Sequence, residues 1–542
     1  MKHLAKIAVA TLCAGLFIPF AEAQSTNPTP EAMLPADIDI VVSVDVTQPN
    51  PFTPLIEEWG ASFPQEDPDI APEEYIPSSE DEILFRLLTQ HPFTFAMSEV
   101  EATEQDPYPF PDLYIFGWMS EEDFDDLVYN NQYTGEDPFQ PTSTQYGEDG
   151  SVSIYQLSSD MFLFHYYGID VVTSSLESAQ ALIDSYEKDG ASLEKTDFWQ
   201  NSQPHVNRDG FLNLYVDPTF VSSDLDTQYM LEEIGLNQTL IDLITGEMFG
   251  VSQTETGFEF QIYVEGDEAK LEEADMMFDK YNFTPLLYKT VSGNNVILYT
   301  ENSGADQWKE DFLKSFSADS DFIALYDEMV AEIEAEIGIN IDEDLFPYLS
   351  GNNMITVHNS EQLMPAITAV FETGSGFKET LNALNDAIAD AHLEDSSYQQ
   401  QLQLISGQYF VHHMMKDPEL GDTDLWLGMT SDNLFVISTH HDLPTIFRAA
   451  GDMTLNEGFA QNFEGAQSNT SSIFYMDFQN LADYVAYGMT EQGATDEELQ
   501  EVADFAAPWH NLYLISFANG NHTWGNGSLG VDHELLTAID WE

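Results

Sequence analysis

Gly210-Phe211-Leu212-Asn213-Leu214-Tyr215-Val216-Asp217 decides the fold, because the chain echoes it at Ser471-Ser472-Ile473-Phe474-Tyr475-Met476-Asp477. Both read as a short buried strand ending in Tyr-x-Asp. Upstream of each stands a second match, Phe198-Trp199-Gln200-Asn201 against Phe459-Ala460-Gln461-Asn462. Two further pairings keep the same order and an offset of about 260 residues: Glu82–Thr89 with Glu343–Ser350, and Val171-Val172-Thr173-Ser174 with Val436-Ile437-Ser438-Thr439. Matches that preserve both order and spacing point to internal duplication, and the period is far too long for a solenoid repeat. The expectation is α+β: two tandem similar domains, each a mainly antiparallel sheet with helices packed on one face.

Residues 1–23 read as a secretory signal peptide. Lys2 and Lys6 begin it, Ile7–Phe20 is an apolar core too short for a bilayer span, and Ala21-Glu22-Ala23 is a small-x-small cleavage site. The expected location is therefore periplasmic or extracellular, with the signal cut after Ala23. Cys13 is the only cysteine and lies inside the removed segment, so disulfides and thiolate metal sites are excluded from the mature protein. No later apolar run is long enough for a transmembrane anchor. Residues 24–32 read as a flexible lead-in, 33–281 as the first repeat domain and 282–542 as the second.

The 542 residues carry 14 Lys+Arg against 96 Asp+Glu, a formal net charge of −82, yet hydrophobic content is an ordinary 43%. This is a folding chain with a strongly acidic surface, not a disordered acidic tail. Such a surface repels nucleic acid and suits high salt or divalent cations, where screening is strong. Pro- and acid-rich stretches at Ser62–Asp81, Glu101–Asp112 and Gln132–Thr144 read as loops. None has the spacing of a calcium loop with its central glycine, so calcium is a possible ion rather than an assigned cofactor.

Local patterns supply the elements. Ile38, Ile40, Val42, Val44 and Val46 alternate with polar residues, predicting a strand with one wet face. Phe93–Met97 and Leu113–Trp118 are strand candidates. Ser120 is expected to cap a helix, and Ser174 with Glu177 to form a capping box before another. A hairpin is expected around Thr256-Gly257. In the second half, Leu286–Lys289 and Asn295–Tyr299 read as a strand pair. Phe322, Leu325, Tyr326, Met329, Ile333 and Ile337 trace one face of a long helix ending at Gly338. Phe377, Leu381, Leu384 and Ile388 mark another helix, Thr495 and Glu498 box the start of a third, and Asn519-Gly520 is a hairpin turn.

Few residues suggest chemistry. His412-His413 and His440-His441 resemble metal sites, but neighbours on a strand point to opposite faces and cannot chelate as a unit. Gly374-Ser375-Gly376 lacks the spacing of a nucleophile elbow and reads as a helix start. There is no HExxH, P-loop or dinucleotide glycine motif. Trp118, Trp426 and Tyr215 sit in strand-like runs and are expected in the core. No catalytic, cofactor-binding or metal-ligating residue is assigned.

Gly338-Ile339-Asn340-Ile341-Asp342-Glu343-Asp344-Leu345-Phe346-Pro347-Tyr348-Leu349-Ser350-Gly351 resembles a recurring segment of the bacterial exported family called domain of unknown function 3352. Leu34-Pro35-Ala36-Asp37 is similar to the way those proteins begin after their signal, and Ser471–Asp477 to their late Tyr-x-Asp strand. The resemblance implies export and a fold spanning nearly the whole mature chain; it implies no activity and no site residues. The acidic loops of the first half depart from the family pattern. The reading is a non-enzymatic binding or structural protein of the envelope, with an unknown ligand or partner. The alternatives are a calcium-dependent adhesion or cation-binding protein, and a hydrolase with its site at an inter-domain cleft.

Overall fold

The computed structural model describes residues 29–45, 92–98, 111–118, 124, 141–147, 152–158, 161–188, 190–208, 210–218, 242–254, 256–305, 321–360, 366–393, 397–417, 421–447, 452–463, 467–532 and 535. The signal peptide, the helix expected at Ser120, the Glu82–Thr89 segment and most of the acidic loops lie outside them. The chain divides into two compact units, Met1–Asp224 with Ile244–Glu265, and Leu225–Leu243 with Gly266–Glu542.

The first ten strands are β1 (Ile40–Val44), β2 (Phe93–Ser98), β3 (Asp112–Gly117), β4 (Pro141–Tyr146), β5 (Val152–Ser158), β6 (Met161–Tyr166), β7 (Ile169–Thr173), β8 (Leu212–Val216), β9 (Ile244–Thr254) and β10 (Gly257–Gly266). All pair antiparallel, in the spatial order β10-β9-β8-β1-β2-β3-β7-β6-β5-β4. The next ten are β11 (Val296–Ser303), β12 (Asn352–His358), β13 (Ala366–Glu372), β14 (Gln399–Ile405), β15 (Gln408–Asp417), β16 (Gly421–Met429), β17 (Leu434–Ser438), β18 (Thr470–Asp477), β19 (Trp509–Asn519) and β20 (His522–Val531). Their order, β20-β19-β18-β11-β12-β13-β17-β16-β15-β14, repeats the first strand for strand.

Detail repeats as well. Tyr215 sits opposite Val41 and Met248, and Tyr475 opposite Tyr299 and Tyr513, at matching places in β8 and β18. Beyond β7, the Ser174 hydroxyl accepts from the Leu113 amide at 3.1 Å; beyond β17, the Thr439 hydroxyl accepts from the Ile367 amide at 3.0 Å. Before β8 comes a 3-10 turn (Leu193–Lys195) and a short helix α2 (Asp197–Ser202), capped by Thr196. Before β18 come the turn Met453–Leu455 and α6 (Glu457–Asn462), capped by Asn456.

The expected α+β arrangement, two tandem similar domains each with its own sheet and helices on one face, is corrected on two counts. All twenty strands belong to a single antiparallel network. Nor do helices keep to one face. In the second unit, Tyr299, Met354, Val370, Val436 and Trp426 pack with Leu443 and Ile446 of α5 (Leu443–Ile446) and Phe459 of α6. Their strand neighbours Phe371, Leu427, Phe435 and Ile437 point the other way and pack on Phe377, Leu381, Leu384 and Ile388 of α4 (Phe377–Ala391). The reason is visible in the central strands: every residue of β7 is buried, and all but Ile437 of β17. Strands buried on both faces need cover on both. Strand edges, which decide how far a sheet extends, carry no such local signature.

Smaller expectations shift too. β1 has no wet face, since Val41 is 2% exposed beside Val42 at 3%. α1 (Leu176–Glu187) is capped by Ser175, whose hydroxyl accepts from the Ser178 amide, because Ser174 is already engaged with β3. In β10, Phe258 is buried but Ile262 is exposed, and Tyr263 is buried instead, stacked on His205. Leu287–Lys289 is a 3-10 turn and not a strand: the buried Glu301 carboxylate accepts from the Leu286 and Leu287 amides at 2.8 and 2.9 Å. Along α3 (Asp321–Ile337), Val330 is buried while Leu325 and Met329 are exposed. The last hairpin pairs Asn519 with His522, so its two-residue turn is Gly520-Asn521.

Candidate functional site

The residues singled out in the sequence are placed in separate packing roles. In β15, His412 stacks on Trp426 with ring centroids 3.7 Å apart and bonds Asp424 Oδ1 through Nε2 at 2.6 Å. His413 points to the opposite face, where Asn385 Oδ1 lies 2.9 Å from Nε2 and the Tyr398 hydroxyl 2.8 Å from Nδ1. His440 packs against His358, centroids 5.9 Å apart, and stacks on His441. Burial pushes the imidazoles of His358, His413 and His440 down to about 4, so they are neutral at pH 7. Among the described residues, no three His, Cys, Asp or Glu side chains converge as a metal site. Gly376 takes φ +100° at the start of α4, a conformation suited to glycine, which makes Gly374-Ser375-Gly376 a helix entry. Tyr215 and Trp426 are core residues, and Trp118 is half-buried.

The sequence marks the start of one helix here, at Thr495 and Glu498; what it does not show is that this helix pairs with another in a hairpin inserted between β18 and β19. α7 (Phe478–Glu491) begins where the Asp477 carboxylate accepts from the Asn480 amide at 2.9 Å. It ends in a Schellman turn: the Ala494 amide donates to Met489 O and the Gly493 amide to Thr490 O, with Gly493 at φ +85°. α8 (Asp496–Ala506) starts at once from a complete capping box, with Glu498 Oε2 accepting from the Thr495 amide at 2.7 Å and the Thr495 hydroxyl from the Glu498 amide at 3.3 Å. At the other end, Gln479 Nε2 donates to both Ala506 O and Trp509 O at 2.8 Å. Asn480 Nδ2 ties α7 to Val296 O of β11 at 2.9 Å. The hairpin is thus fixed at its turn, at its base and to the sheet.

Between the helices lies a cavity of about 610 Å³. Phe478, Leu481, Ala482, Val485 and Met489 line it from α7, and Val502, Phe505 and Ala506 from α8, with Trp509 closing the base. The spacing i, i+3, i+4, i+7, i+11 on α7 puts its apolar residues on one face. That stripe is not used up against the sheet, since none of α7 is fully buried, and Val485 and Phe505 are 39% and 72% exposed. Only Glu498 and Glu501 bring charge to the lining. The volume falls within the range of small-molecule sites, about 300–1,000 Å³. The signal was present in the sequence as Phe478, Leu481, Val485 and Met489 facing Val502 and Phe505 across Gly493; it reads equally well as ordinary core.

No family model matches the chain, and the search of curated proteins finds no match. Among solved structures, crystal form III of TP0453 is similar at 11% identity over 48% of this chain and 90% of that one, with a TM-score of 0.27. Crystal form IV of the same protein gives 9% identity over 44% and 80%, with a TM-score of 0.26. Likeness at this level carries no argument about function. No helix among the described residues is long and apolar enough to cross a membrane.

Proposed function

We propose that the chain is an exported, non-enzymatic binding protein of the bacterial envelope, and that the groove between α7 and α8 holds an apolar ligand. Membership in the exported family that the sequence resembles, and a periplasmic or extracellular location after loss of residues 1–23, belong to the same proposal. The observation that carries it is the groove itself: a cavity of about 610 Å³ with an almost wholly apolar lining, between helices tied at the base by the Gln479 hydrogen bonds and joined at the other end by the Gly493 turn. Apolar surface left facing water is costly, and a hairpin that leaves it in a concave site gains by covering it with a ligand. Ten buried methylenes at about 0.8 kcal/mol each give about 8 kcal/mol of gross stabilisation, from which the costs of association are subtracted.

The test is titration of the mature protein with a neutral fluorescent probe, N-phenyl-1-naphthylamine. Enhancement saturating at one probe per chain is expected, and Ala482→Trp, which fills the groove, is expected to abolish it with the circular dichroism unchanged. Saturable binding that Ala482→Trp leaves intact would place the site elsewhere and overturn the assignment.

A further inference from the structure

We infer that the groove selects an amphiphile with a cationic head, an alkyl chain ending in an ammonium group; this rests on the groove being the binding site. Three observations converge. The body of the cavity is hydrocarbon and aromatic, so the ligand needs an apolar part. The charge brought to the cavity is all negative. Glu498 belongs to the first turn of α8, where carboxylates are common for helix-dipole reasons, and its hydrogen bonds with Thr495 hold its carboxyl below the usual range. Glu501 lies past that turn and lines the cavity without such a reason.

No Lys or Arg stands nearby in sequence to neutralise this rim. The chain contains no Lys or Arg after Arg448, while Glu497 and Asp504 add further carboxylates to the same helix. A fatty acid or anionic lipid would bring its charge to a carboxylate rim on a chain of net charge −82. A cation meets attraction there. Phe505, 72% exposed at the lip, and Trp509 at the base also offer ring faces, the usual partners of quaternary ammonium groups.

The experiment uses three ligands of one chain length: dodecyltrimethylammonium, dodecyl maltoside and dodecyl sulfate. Each is titrated calorimetrically into the full mature protein below its micelle concentration. Ammonium surfactants also coat acidic surfaces, so the quantity read is the single-site binding that Ala482→Trp removes. In that fraction, dodecyltrimethylammonium should bind about two- to fivefold tighter than the maltoside, the range of a solvent-exposed ion pair, and the sulfate weakest. Glu501→Gln should erase the cationic advantage, so that the ammonium and maltoside affinities converge, and 0.5 M NaCl should reduce it. Equal affinity for all heads, a preference for sulfate, or a cationic advantage that survives Ala482→Trp would overturn the head-group inference while maltoside binding keeps the groove. If no ligand shows binding sensitive to Ala482→Trp, the groove reading falls with it.

Discussion

Tyr215 and Tyr475 stand at the same place in two equivalent strands, yet the polar groups that brace them differ. Around Tyr215, Phe198 and Trp199 of α2 supply rings at 5.3 and 6.0 Å. The Arg208 guanidinium lies 4.0 Å over the Trp199 ring, and donates to Trp199 O and, at 3.0 Å, to Ser202 Oγ. Around Tyr475, Phe459 of α6 supplies the ring at 5.8 Å, and among the described residues no cation takes part in the bracing. The Tyr475 hydroxyl itself donates to Asn456 Oδ1 at 2.7 Å, the same oxygen that caps α6 by accepting from the Phe459 amide at 3.0 Å. The strand order fixes where an aromatic from the short helix must meet the tyrosine. It leaves open which polar groups secure the contact, so one copy uses a cation over a ring and the other a hydroxyl on a helix cap.

The largest effect tests whether the two aromatic corners are equivalent. Phe459 is 0% exposed and touches the rings of Tyr299, Tyr475 and Tyr513; Trp199 is 3% exposed. Phe459→Ala and Trp199→Ala should each cost about 3–5 kcal/mol, read from urea unfolding of the unit concerned. A loss under about 1 kcal/mol at either would break the equivalence.

A second difference is acid sensitivity. His358, His413 and His440 lie in the second unit, with folded pKa values near 4 against about 6.5 unfolded. The unfolded chain therefore binds protons first. Stability from this source is full above about pH 6.5 and falls as pH drops toward 4, by at most about 1.4 kcal/mol per pH unit per buried imidazole. Comparing wild type with His358→Gln between pH 7 and 4 isolates one of them, and the variant should show the shallower slope. Parallel slopes would show that this ring does not govern the acid response.

The smallest effects sharpen the comparison of the braces. Arg208→Met should cost about 1.5–3 kcal/mol, since it removes charge-assisted hydrogen bonds, whereas Tyr475→Phe should cost about 0.5–1.5 kcal/mol. A reversed order in chemical denaturation would mean the hydroxyl, and not the guanidinium, is the stronger brace.

The repeat was legible because buried strands show themselves residue by residue: Leu212–Val216 against Ser472–Met476 and Val171–Thr173 against Val436–Ser438 fall on matching strands. The caps of α1 and α8 and the last hairpin turn were legible to within one residue. Ser174 was displaced from its cap by a hydrogen bond to Leu113, a partner 61 positions away that no local pattern reveals. The joining of all strands in one network depends on edge pairing, which hydrophobic alternation does not encode. The groove was illegible for a related reason. Phe478, Leu481, Val485 and Met489 form the stripe of any packed helix. Only the fold shows that Gln479 ties the end of α8 to α7 so that the stripe lines a cavity.

The central claim, that this cavity receives an apolar ligand, is tested most directly on Met489. It lines the groove, whereas Met354 and Met453 are 0% exposed in the core on the sheet. With methionine methyl groups labelled by ¹³C and the Met489 signal identified through Met489→Leu, dodecyl maltoside is titrated into the mature protein. A saturable shift of the Met489 methyl, with Met354 and Met453 unmoved, is the predicted result. A Met489 signal that stays still while the ligand binds, or that moves only together with the core methyls, would contradict it.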